Sequence, residues 1–371
     1  PGGPGVRPDP GADLQPTDAD QRRRVVAARD HQPQPAGRRR GQPDPVQGRR
    51  RVRRAIPVVP RPSGPGVRAP GRLPGRHPMR YMSFYSAGRA RLGILDGGRV
   101  LPMQHLGFEG HIDELLKLGP NGWSELEAAS KSGPWGRSLP AEAILPAPIV
   151  PRPRRSVFSA GKNYADHAAE YAKSGYDKPD APDIPNQPVT FFKLADCVVG
   201  PGEPVEAQSH ATVEMDYEAE LAAILWCGGR TLSRDAAQRS VFGYFLANDL
   251  TARDWQKGHD QWVVGKSFDG YLPLGSVLVT ADEVSDMSEL KFDCFVNGEH
   301  RQSGDPSQLI FDIPELVLYL STGITLLRGD ILTTGSPLGP GIGFHPPKFL
   351  KPGDEVRITS ARLGELKTPI V

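Results

Sequence analysis

Residues 213–225 read VEMDYEAELAAIL, an acidic alternating run that passes directly into an apolar one. Carboxylates occupy every second position from Glu214 to Glu220. Because side chains two residues apart in a strand point to the same face, this spacing predicts a strand on which Glu218 and Glu220 project together. The apolar continuation indicates a buried strand, and a solvated sheet edge is the simpler alternative. Two buried carboxylates repel each other unless a cation or a proton compensates them, so the stretch predicts a site for a hard divalent cation.

A second acidic group follows the next apolar run of the chain. Residues 241–246 read VFGYFL, and Asp249 comes shortly after them, at the end of what we predict to be a buried strand. Arg253 lies one helical turn further on, and Gln256 and Lys266 follow. Cationic and amide groups beside carboxylates are typical of a site where an anionic substrate bridges metal and protein. A surface ion pair is the alternative interpretation.

A histidine and a glutamate occupy neighbouring positions in the Ala-rich stretch 161–171, GKNYADHAAEY. His167 and Glu170 are three residues apart, so a helix would place them side by side. Glu170 can then orient the imidazole, and the pair can activate a water as a nucleophile or as a proton carrier. A purely structural pair is the alternative. The stretch 174–188 that follows is rich in Pro, Asp and Gly, and we predict that it forms a mobile lid.

From Met79 onward the chain predicts many short strands and few helices. Apolar and polar residues alternate in 79–106 around Gly97-Gly98, which predicts a small β-meander, and 112–130 predicts one or two short helices. Further strands are expected at 188–193, 219–226, 274–280, 292–296 and 330–334, and helices at 164–173, 233–240 and 313–320. Because strands and helices do not alternate, a doubly wound sheet is not expected. The proline-studded stretch 139–154 predicts a domain junction.

Residues 1–78 differ in composition from everything after them. They contain 17 Arg, 6 Asp and 16 of the 39 prolines but no Lys, Glu or aromatic residue, so they carry +11 of a chain whose net charge is +2. Such a segment buries too little apolar surface to offset its ordering entropy, and we predict disorder. A nucleic-acid tether and a targeting peptide are alternatives. Our hypothesis is that residues 1–78 are a translation of GC-rich DNA upstream of the gene, read in frame, and that the native chain starts at Met79.

Composition also argues against several functional classes. The sequence has no run of about 18 apolar residues, so no membrane span is predicted. Three cysteines without a CxxC pair argue against a disulfide scaffold or a zinc ribbon, and they suit a reducing cytoplasm. A nuclease is disfavoured because the acidic part of the chain would repel phosphates. The glycine string 339–343 precedes no predicted helix, so it predicts a tight loop bordering the pocket rather than a dinucleotide site.

In combination these motifs resemble the fumarylacetoacetate hydrolase family over roughly residues 153–371. In chain order the motifs are GKNYADHAAE (161–170), FFK (191–193), DYEAEL (216–221), NDLTARD (248–254), GKSFD (265–269), VNGE (296–299) and TGSP (334–337). Ser336 stands where the family usually has Thr, and it keeps the hydroxyl. Residues 79–150 are similar to the small N-terminal domain of many bacterial members.

The resemblance implies a β-rich α+β fold, with a mixed β-sandwich roll of the fumarylacetoacetate hydrolase C-terminal type after a small β-rich N-terminal domain. The expected parts are the disordered tail 1–78, the N-terminal domain 79–150 and the metal-dependent catalytic domain 151–371. The resemblance also implies a homodimer and a divalent metal, Mg²⁺ or Mn²⁺. The implied metal ligands are Glu218, Glu220 and Asp249.

The resemblance further assigns roles around the metal. Lys266 is implied to lie beside the metal and to help hold the substrate. The positions implied to contact the 2-oxo-carboxylate end of a substrate are Arg253, Gln256 and Thr334. The dyad implied to activate water is His167 and Glu170.

These expectations define a reaction class. Three carboxylates around a dication leave open positions that suit two oxygens of a dioxo substrate, and the metal can stabilise an enolate as a C–C bond breaks. We therefore expect a cytoplasmic enzyme that hydrolyses a C–C bond of an acylpyruvate or a related 2-oxo acid. The alternative reaction is decarboxylation or isomerisation of a 2-oxo-dienoate. The alternative of another class is a binding protein tethered to nucleic acid by its basic tail.

Overall fold

The computed structural model describes residues 79–176, 184–258 and 261–371. The predicted disorder of residues 1–78 lies outside the described residues, as do residues 177–183 at the centre of the predicted lid.

The described residues form short strands and a few helices, as the sequence predicts. The eighteen strands β1–β18 of this part of the chain are Arg80–Ser86, Arg89–Asp96, Arg99–Pro102, Leu139–Pro140, Val157–Gly161, Val189–Lys193, Val198–Val199, Met215–Asp216, Ala219–Leu225, Val241–Asn248, Thr251–Ala252, Leu272–Pro273, Val277–Thr280, Phe292–Val296, Glu299–Gly304, Ile331–Thr333, Glu355–Ser360 and Gly364–Pro369. Its five α-helices α1–α5 are Ile112–Lys131, Ala165–Lys173, Arg234–Ser240, Arg253–Gly258 and Ile313–Ser321.

Local sequence explains where several helices begin and break. Helix α1 is interrupted at Gly119, where φ is 65° and a proline follows, so the prediction of one or two short helices is confirmed. Ser233 caps the N-terminus of helix α3, and its side chain accepts a hydrogen bond from an N–H of the first turn. Asp312 caps α5 in the same way.

A ten-stranded mixed sheet has the order β4-β3-β2-β1-β13-β10-β9-β16-β5-β6. Only β16 and β5 pair in parallel within it. The predicted meander is β1–β3, and β1 extends the sheet by pairing with β13. Strands from both sides of residue 150 therefore share one sheet, and a domain boundary at that position stays a prediction.

Strand β9 lies inside this sheet and is covered on both faces. Leu221 and Ala223 belong to an apolar cluster that includes residues of α5, whereas Ala222 and Ile224 belong to another that includes residues of α1. Because both faces are buried, the run 221–225 is apolar throughout instead of alternating.

A second sheet has four antiparallel strands in the order β15-β14-β17-β18. Its buried residues Cys294, Val356 and Ile358 join the same cluster as Leu221, so the two sheets share a core. The predicted β-rich α+β fold is confirmed. Among the described residues, no helix has the combined length and apolar character that crossing a bilayer requires.

Candidate metal centre and active site

The acidic run 213–221 forms two short strands, β8 and β9, instead of the single predicted strand, and Glu218 lies in the break between them. The antiparallel pairing of β9 with β10 places Glu220 opposite Ala247. Just beyond this pair, the N–H of Asp249 donates to the carbonyl of Glu218 at 2.8 Å. Residues opposite each other in an antiparallel pair lie on the same face. The pairing of β9 and β10 therefore brings the predicted acidic groups to one place.

The three carboxylates implied as metal ligands, Glu218, Glu220 and Asp249, converge. Each offers an oxygen within 4.8 Å of the others, and all three residues are buried. Carboxylate oxygens are the preferred ligands of hard divalent cations, and a 2+ ion offsets the repulsion among buried negative charges. The donor set therefore fits the divalent metal that the sequence analysis expects.

Two buried lysines neutralise part of this negative charge. Nζ of Lys266 donates to Oε2 of Glu218 at 2.6 Å and to Oδ2 of Asp249 at 2.8 Å. Nζ of Lys193 donates to Oδ1 of Asp249 at 2.6 Å and to the carbonyl of Leu250 at 3.0 Å. It also donates to the carbonyl oxygen of Lys266. Lys193 thus holds both a candidate metal ligand and the backbone of the neighbouring lysine.

Arg253 is buried and bound to acidic and amide groups of the site. Its Nε donates to Oδ2 of Asp216 at 2.8 Å, and its Nη2 donates to Oε1 of Glu218 at 2.6 Å. Its Nη1 donates to Oε1 of Gln256 at 3.0 Å. Asp216 also accepts hydrogen bonds from two backbone N–H groups of the loop 339–343. The predicted tight loop therefore fixes Asp216, and Asp216 orients the guanidinium.

Burial and neighbouring charges push the pKa values of the carboxylates apart. Burial, together with the charges of Asp249 and Glu218, raises the pKa of Glu220 well above its ordinary value. Burial also acts to raise the pKa of Glu218, but Arg253 and Lys266 outweigh it, and this pKa lies below its ordinary value. Burial acts to lower the pKa of Lys266, but Asp249 and Glu218 outweigh it and raise that pKa. The Glu218–Lys266 pair is therefore charged, whereas Glu220 resists ionisation without a cation.

His167 and Glu170 lie together on α2, as predicted. Nδ1 of His167 is 3.1 Å from Oε2 of Glu170. His167 is 4% exposed, and Oε2 of Glu170 also accepts the N–H of Gly339 at 3.3 Å. Because a carboxylate faces Nδ1, that nitrogen carries the ring proton, and Nε2 is left as the basic nitrogen.

The turn 334–337 supports the site through its backbone. The buried hydroxyl of Thr334 donates to the carbonyl of Leu221 at 2.9 Å, so its implied contact with substrate stays a prediction. The N–H of Gly335 donates to Oε2 of Glu220 at 2.8 Å. Gly335 has a φ of 94°, in the left-handed region that glycine adopts most readily. The turn therefore delivers a backbone donor to a candidate metal ligand.

A small cavity connects these groups. The predicted site residues that line it are His167, Glu218, Glu220, Arg253, Gln256 and Lys266. Three rings, which we call the aromatic wall, also line it: Phe191, Trp262 and Tyr171. Ring centroids are 5.5 Å apart between Phe191 and Trp262 and 6.3 Å apart between Trp262 and Tyr171. Gly161 permits this arrangement, since a Cβ there would lie 3.0 Å from the Trp262 ring.

The structure also places at the site residues to which the sequence motifs gave no role, and among them are Lys193, Asp216, Trp262 and Ser336. The signal for Asp216 was its place in the same alternation as Glu218. Lys193 was visible only as the last residue of the FFK motif. The side-chain partner of a lysine depends on which strands meet, so composition and spacing alone do not identify it.

Comparisons with known proteins identify the family. Residues 156–371 match the family model described as fumarylacetoacetate (FAA) hydrolase C-terminal. The chain belongs to the fumarylacetoacetate hydrolase family. The resemblance drawn from the motifs is thereby confirmed, as is the fumarylacetoacetate hydrolase type of the fold.

Members of this family with different activities are similar to the chain. The oxaloacetate tautomerase YisK of Bacillus subtilis is 44% identical over 230 residues, which are 62% of this chain and 74% of that protein. The fumarylacetoacetate hydrolase of Exiguobacterium antarcticum superposes with a TM-score of 0.66 at 34% identity, over 79% of this chain and 99% of that one. The maleylpyruvate hydrolase of Sphingobium sp. SYK-6, solved with manganese (II) and pyruvate, superposes with a TM-score of 0.62 at 25% identity, over 79% and 99% of the two chains.

Proposed function

We propose that the protein is a metal-dependent enzyme that interconverts the keto and enol forms of a small 2-oxo dicarboxylate, with oxaloacetate as the substrate. The observation that carries the proposal is the buried convergence of Glu218, Glu220 and Asp249 beside the charged Lys266. The 44% identity to an oxaloacetate tautomerase supports tautomerisation over the C–C hydrolysis that the sequence analysis favoured.

The acidic cluster and its cations would prepare the site for an enolate. A divalent cation held by the three carboxylates, Mg²⁺ or Mn²⁺, supplies a Lewis acid that stabilises negative charge on the oxygens of a 2-oxo acid. Lys266 remains charged. Its ammonium bonds Glu218 and Asp249, and it therefore reduces the repulsion between these two carboxylates and the negative charge of the enolate. Arg253 holds the other oxygen of Glu218, so the carboxylate is fixed before a substrate enters.

His167 is the group that we assign to proton transfer. Its Nδ1 proton is held by Glu170, so Nε2 is the nitrogen that accepts a proton. Nε2 removes a proton from carbon 3 of the keto acid, and the C–H electron pair becomes the C=C bond. The electron pair of the C=O π bond moves to the carbonyl oxygen, which takes up a proton from solvent to give the enol, and His167 returns its proton to solvent. Glu170 keeps the ring oriented and offsets the positive charge that the imidazole gains.

Removal of divalent metal is expected to abolish turnover. After treatment with EDTA and desalting, the rate with oxaloacetate should fall by about 1000-fold, because several kcal/mol of stabilisation of the enolate charge is lost. Mg²⁺ or Mn²⁺ should restore the rate. The ultraviolet absorbance of the enol reports the reaction, and an acylpyruvate and a 2-oxo-dienoate are assayed in parallel. Undiminished turnover after chelation would contradict the role given to the three carboxylates.

Hydrolysis of a C–C bond in an acylpyruvate is the second candidate, because the same His167–Glu170 pair can also activate a water. In that reaction the pair deprotonates a water, whose oxygen adds to a carbonyl. The C–C bond then breaks, and the carbon that leaves takes up a proton. Decarboxylation or isomerisation of a 2-oxo-dienoate needs the same stabilised enolate but no attacking water.

Replacement of His167 separates hydrolysis of an acylpyruvate from decarboxylation of oxaloacetate. The change His167→Ala should lower hydrolysis of an acylpyruvate by about 100-fold or more, the usual size of a general-base contribution. Decarboxylation of oxaloacetate should remain, because it needs the enolate-stabilising charges but no activated water. Product analysis by NMR measures both. Equal hydrolysis by the variant and the parent protein would exclude the role of His167 in activating water.

We also propose a homodimer and a cytoplasmic location. Phe192 and Leu194, at the edge strand β6, are 42% and 48% exposed, which supports a contact with a second copy. The three cysteines are free thiols, as expected in a reducing compartment. Light scattering of the purified chain measures the oligomeric state directly.

A further inference from the structure

We propose that Gly343 is a positioning residue for the His167–Glu170 pair, because its lack of a side chain leaves the space that the carboxylate of Glu170 occupies. The inference rests on the proton-transfer role proposed for His167, and it deepens that role by adding a residue on which the orientation of the imidazole depends. Neither the sequence motifs nor the candidate metal centre assigns a role to Gly343.

The carboxylate of Glu170 lies against the Cα of Gly343. A Cβ built on that Cα would lie 1.8 Å from Oε1 and 2.2 Å from Cδ of Glu170. Non-bonded carbon atoms pack at about 3.5–4.0 Å, so the two groups cannot occupy these positions together. A side chain at position 343 would therefore displace the carboxylate.

The same carboxylate makes the contact that orients the imidazole. Oε2 of Glu170 is 3.1 Å from Nδ1 of His167, and it accepts the N–H of Gly339 at 3.3 Å. Relief of a 1.8 Å contact moves the carboxylate by more than about 1 Å. Since a hydrogen bond is lost once donor and acceptor separate beyond about 3.5 Å, the displaced group would no longer hold the ring proton on Nδ1.

The two other glycines of the loop 339–343 are required for a different reason. A Cβ on Gly339 would lie 2.1 Å from the carbonyl oxygen of Arg301, and a Cβ on Gly341 would lie 2.3 Å from that of Lys348. These obstacles are backbone atoms, which cannot move without distorting the fold. The obstacle at Gly343 is the end of a flexible side chain. A substitution at Gly343 can therefore disturb the site while the fold is preserved.

The backbone conformation at Gly343 does not itself require glycine. Gly343 ends a single 3₁₀ turn, Gly341–Gly343, and its φ lies outside the left-handed region. Alanine at such a position restricts the unfolded chain more than glycine does, so it costs no stability. A displaced carboxylate also has space to enter, because Glu170 and Gly343 line a second cavity together with the exposed Lys173. The space left by Gly343 thus serves the position of Glu170.

Kinetics of Gly343→Ala test the inference. With Mg²⁺ and oxaloacetate, the change should lower kcat by about 10- to 100-fold, the cost of a misplacement of about 1 Å, and leave KM within about threefold. In a Glu170→Ala background it should have no further effect, because Gly343 acts through that carboxylate. The matched control is Gly136→Ala, at an exposed glycine where an added Cβ has no described atom within 4 Å. Neither alanine should lower the unfolding temperature. Additive losses in the double variant, or a lowered unfolding temperature of Gly343→Ala, would show a merely structural role and overturn the inference.

A spectroscopic measurement separates this inference from the proposed reaction. The ¹⁵N chemical shifts of a neutral imidazole at alkaline pH report which ring nitrogen carries the proton, and they need no turnover. The His167 signal is assigned by its loss in His167→Gln. The proton should lie on Nδ1 in the parent protein and move largely to Nε2 in Gly343→Ala, as in Glu170→Ala. This result would support the inference even if oxaloacetate is not tautomerised. An unchanged Nδ1–H form in Gly343→Ala would overturn it, whatever reaction the enzyme catalyses.

Discussion

The change Glu220→Gln should abolish metal-dependent activity and at the same time stabilise the metal-free protein. The amide keeps an oxygen to accept the N–H of Gly335 but offers no negative charge to a cation. We expect a loss of about 1000-fold in kcat/KM, because several kcal/mol of charge stabilisation depends on the bound metal. The metal-free protein should gain stability, because a buried charge that repels Asp249 and Glu218 is removed.

The pH dependence of this gain follows from the raised pKa of Glu220. Below the ordinary carboxyl pKa of about 4.3, Glu220 is protonated in both the folded and the unfolded chain, so it imposes no penalty. As the pH rises from there toward the raised pKa, only the unfolded chain releases the proton readily, and the folded protein loses stability. The advantage of Glu220→Gln should therefore be large at pH 7 and small near pH 4.

Thermal unfolding with and without Mg²⁺ measures both effects in one experiment. Mg²⁺ should raise the unfolding temperature of the parent protein but leave that of Glu220→Gln unchanged. The matched control is Glu214→Gln, which removes a carboxylate from the same stretch. Glu214 binds the Tyr176 hydroxyl at 2.7 Å and lies outside the three converging carboxylates, so its loss should leave the Mg²⁺ shift intact. An unchanged Mg²⁺ shift in Glu220→Gln would remove Glu220 from the metal site.

The fold was predictable from the sequence wherever the pattern of apolar and polar side chains indicates which residues are buried. The apolar run 221–225 indicated a buried strand because β9 is covered on both faces, and the alternation in 79–106 indicated β1–β3. The break between β8 and β9 was not predictable in this way. Glu218 keeps the alternation of its neighbours, and only the pairing partners of each segment show that the strand is interrupted.

The candidate site was predictable as a set of acidic groups but not as a network. Glu218, Glu220 and Asp249 come from two separated stretches. The strand pattern predicted the pair Glu218 and Glu220, whereas the prediction that Asp249 joins them came from the family resemblance. The cations that hold them were harder to place. Lys193 comes from β6, at the edge of the ten-stranded sheet, and reaches Asp249 because the fold brings distant segments together. No spacing in the sequence indicates that Lys193 lies close to Asp249.

Lys193→Met should destabilise the protein more than the replacement of any single lysine on its surface. Lys193 is fully buried, and its ammonium bonds Asp249 at 2.6 Å and the carbonyl of Leu250 at 3.0 Å. Removal of one partner of a buried ion pair costs about 3–5 kcal/mol when the other charge is left uncompensated. Lys266 still donates to Asp249, so the loss should lie near the lower end of that range. We expect this loss in the free energy of unfolding measured by denaturant titration of the metal-free protein.

The matched control is Lys291→Met, which removes the same ammonium from a surface pair. The Lys291 side chain is 63% exposed and lies 3.1 Å from Asp305, so its loss should cost less than about 1 kcal/mol. If Lys193→Met cost no more than Lys291→Met, the buried lysine would not support the acidic cluster. Added Mg²⁺ refines the comparison, because a cation bound to Asp249 offsets the charge that Lys193 leaves behind. The destabilisation by Lys193→Met should therefore shrink with Mg²⁺, whereas that by Lys291→Met should not change.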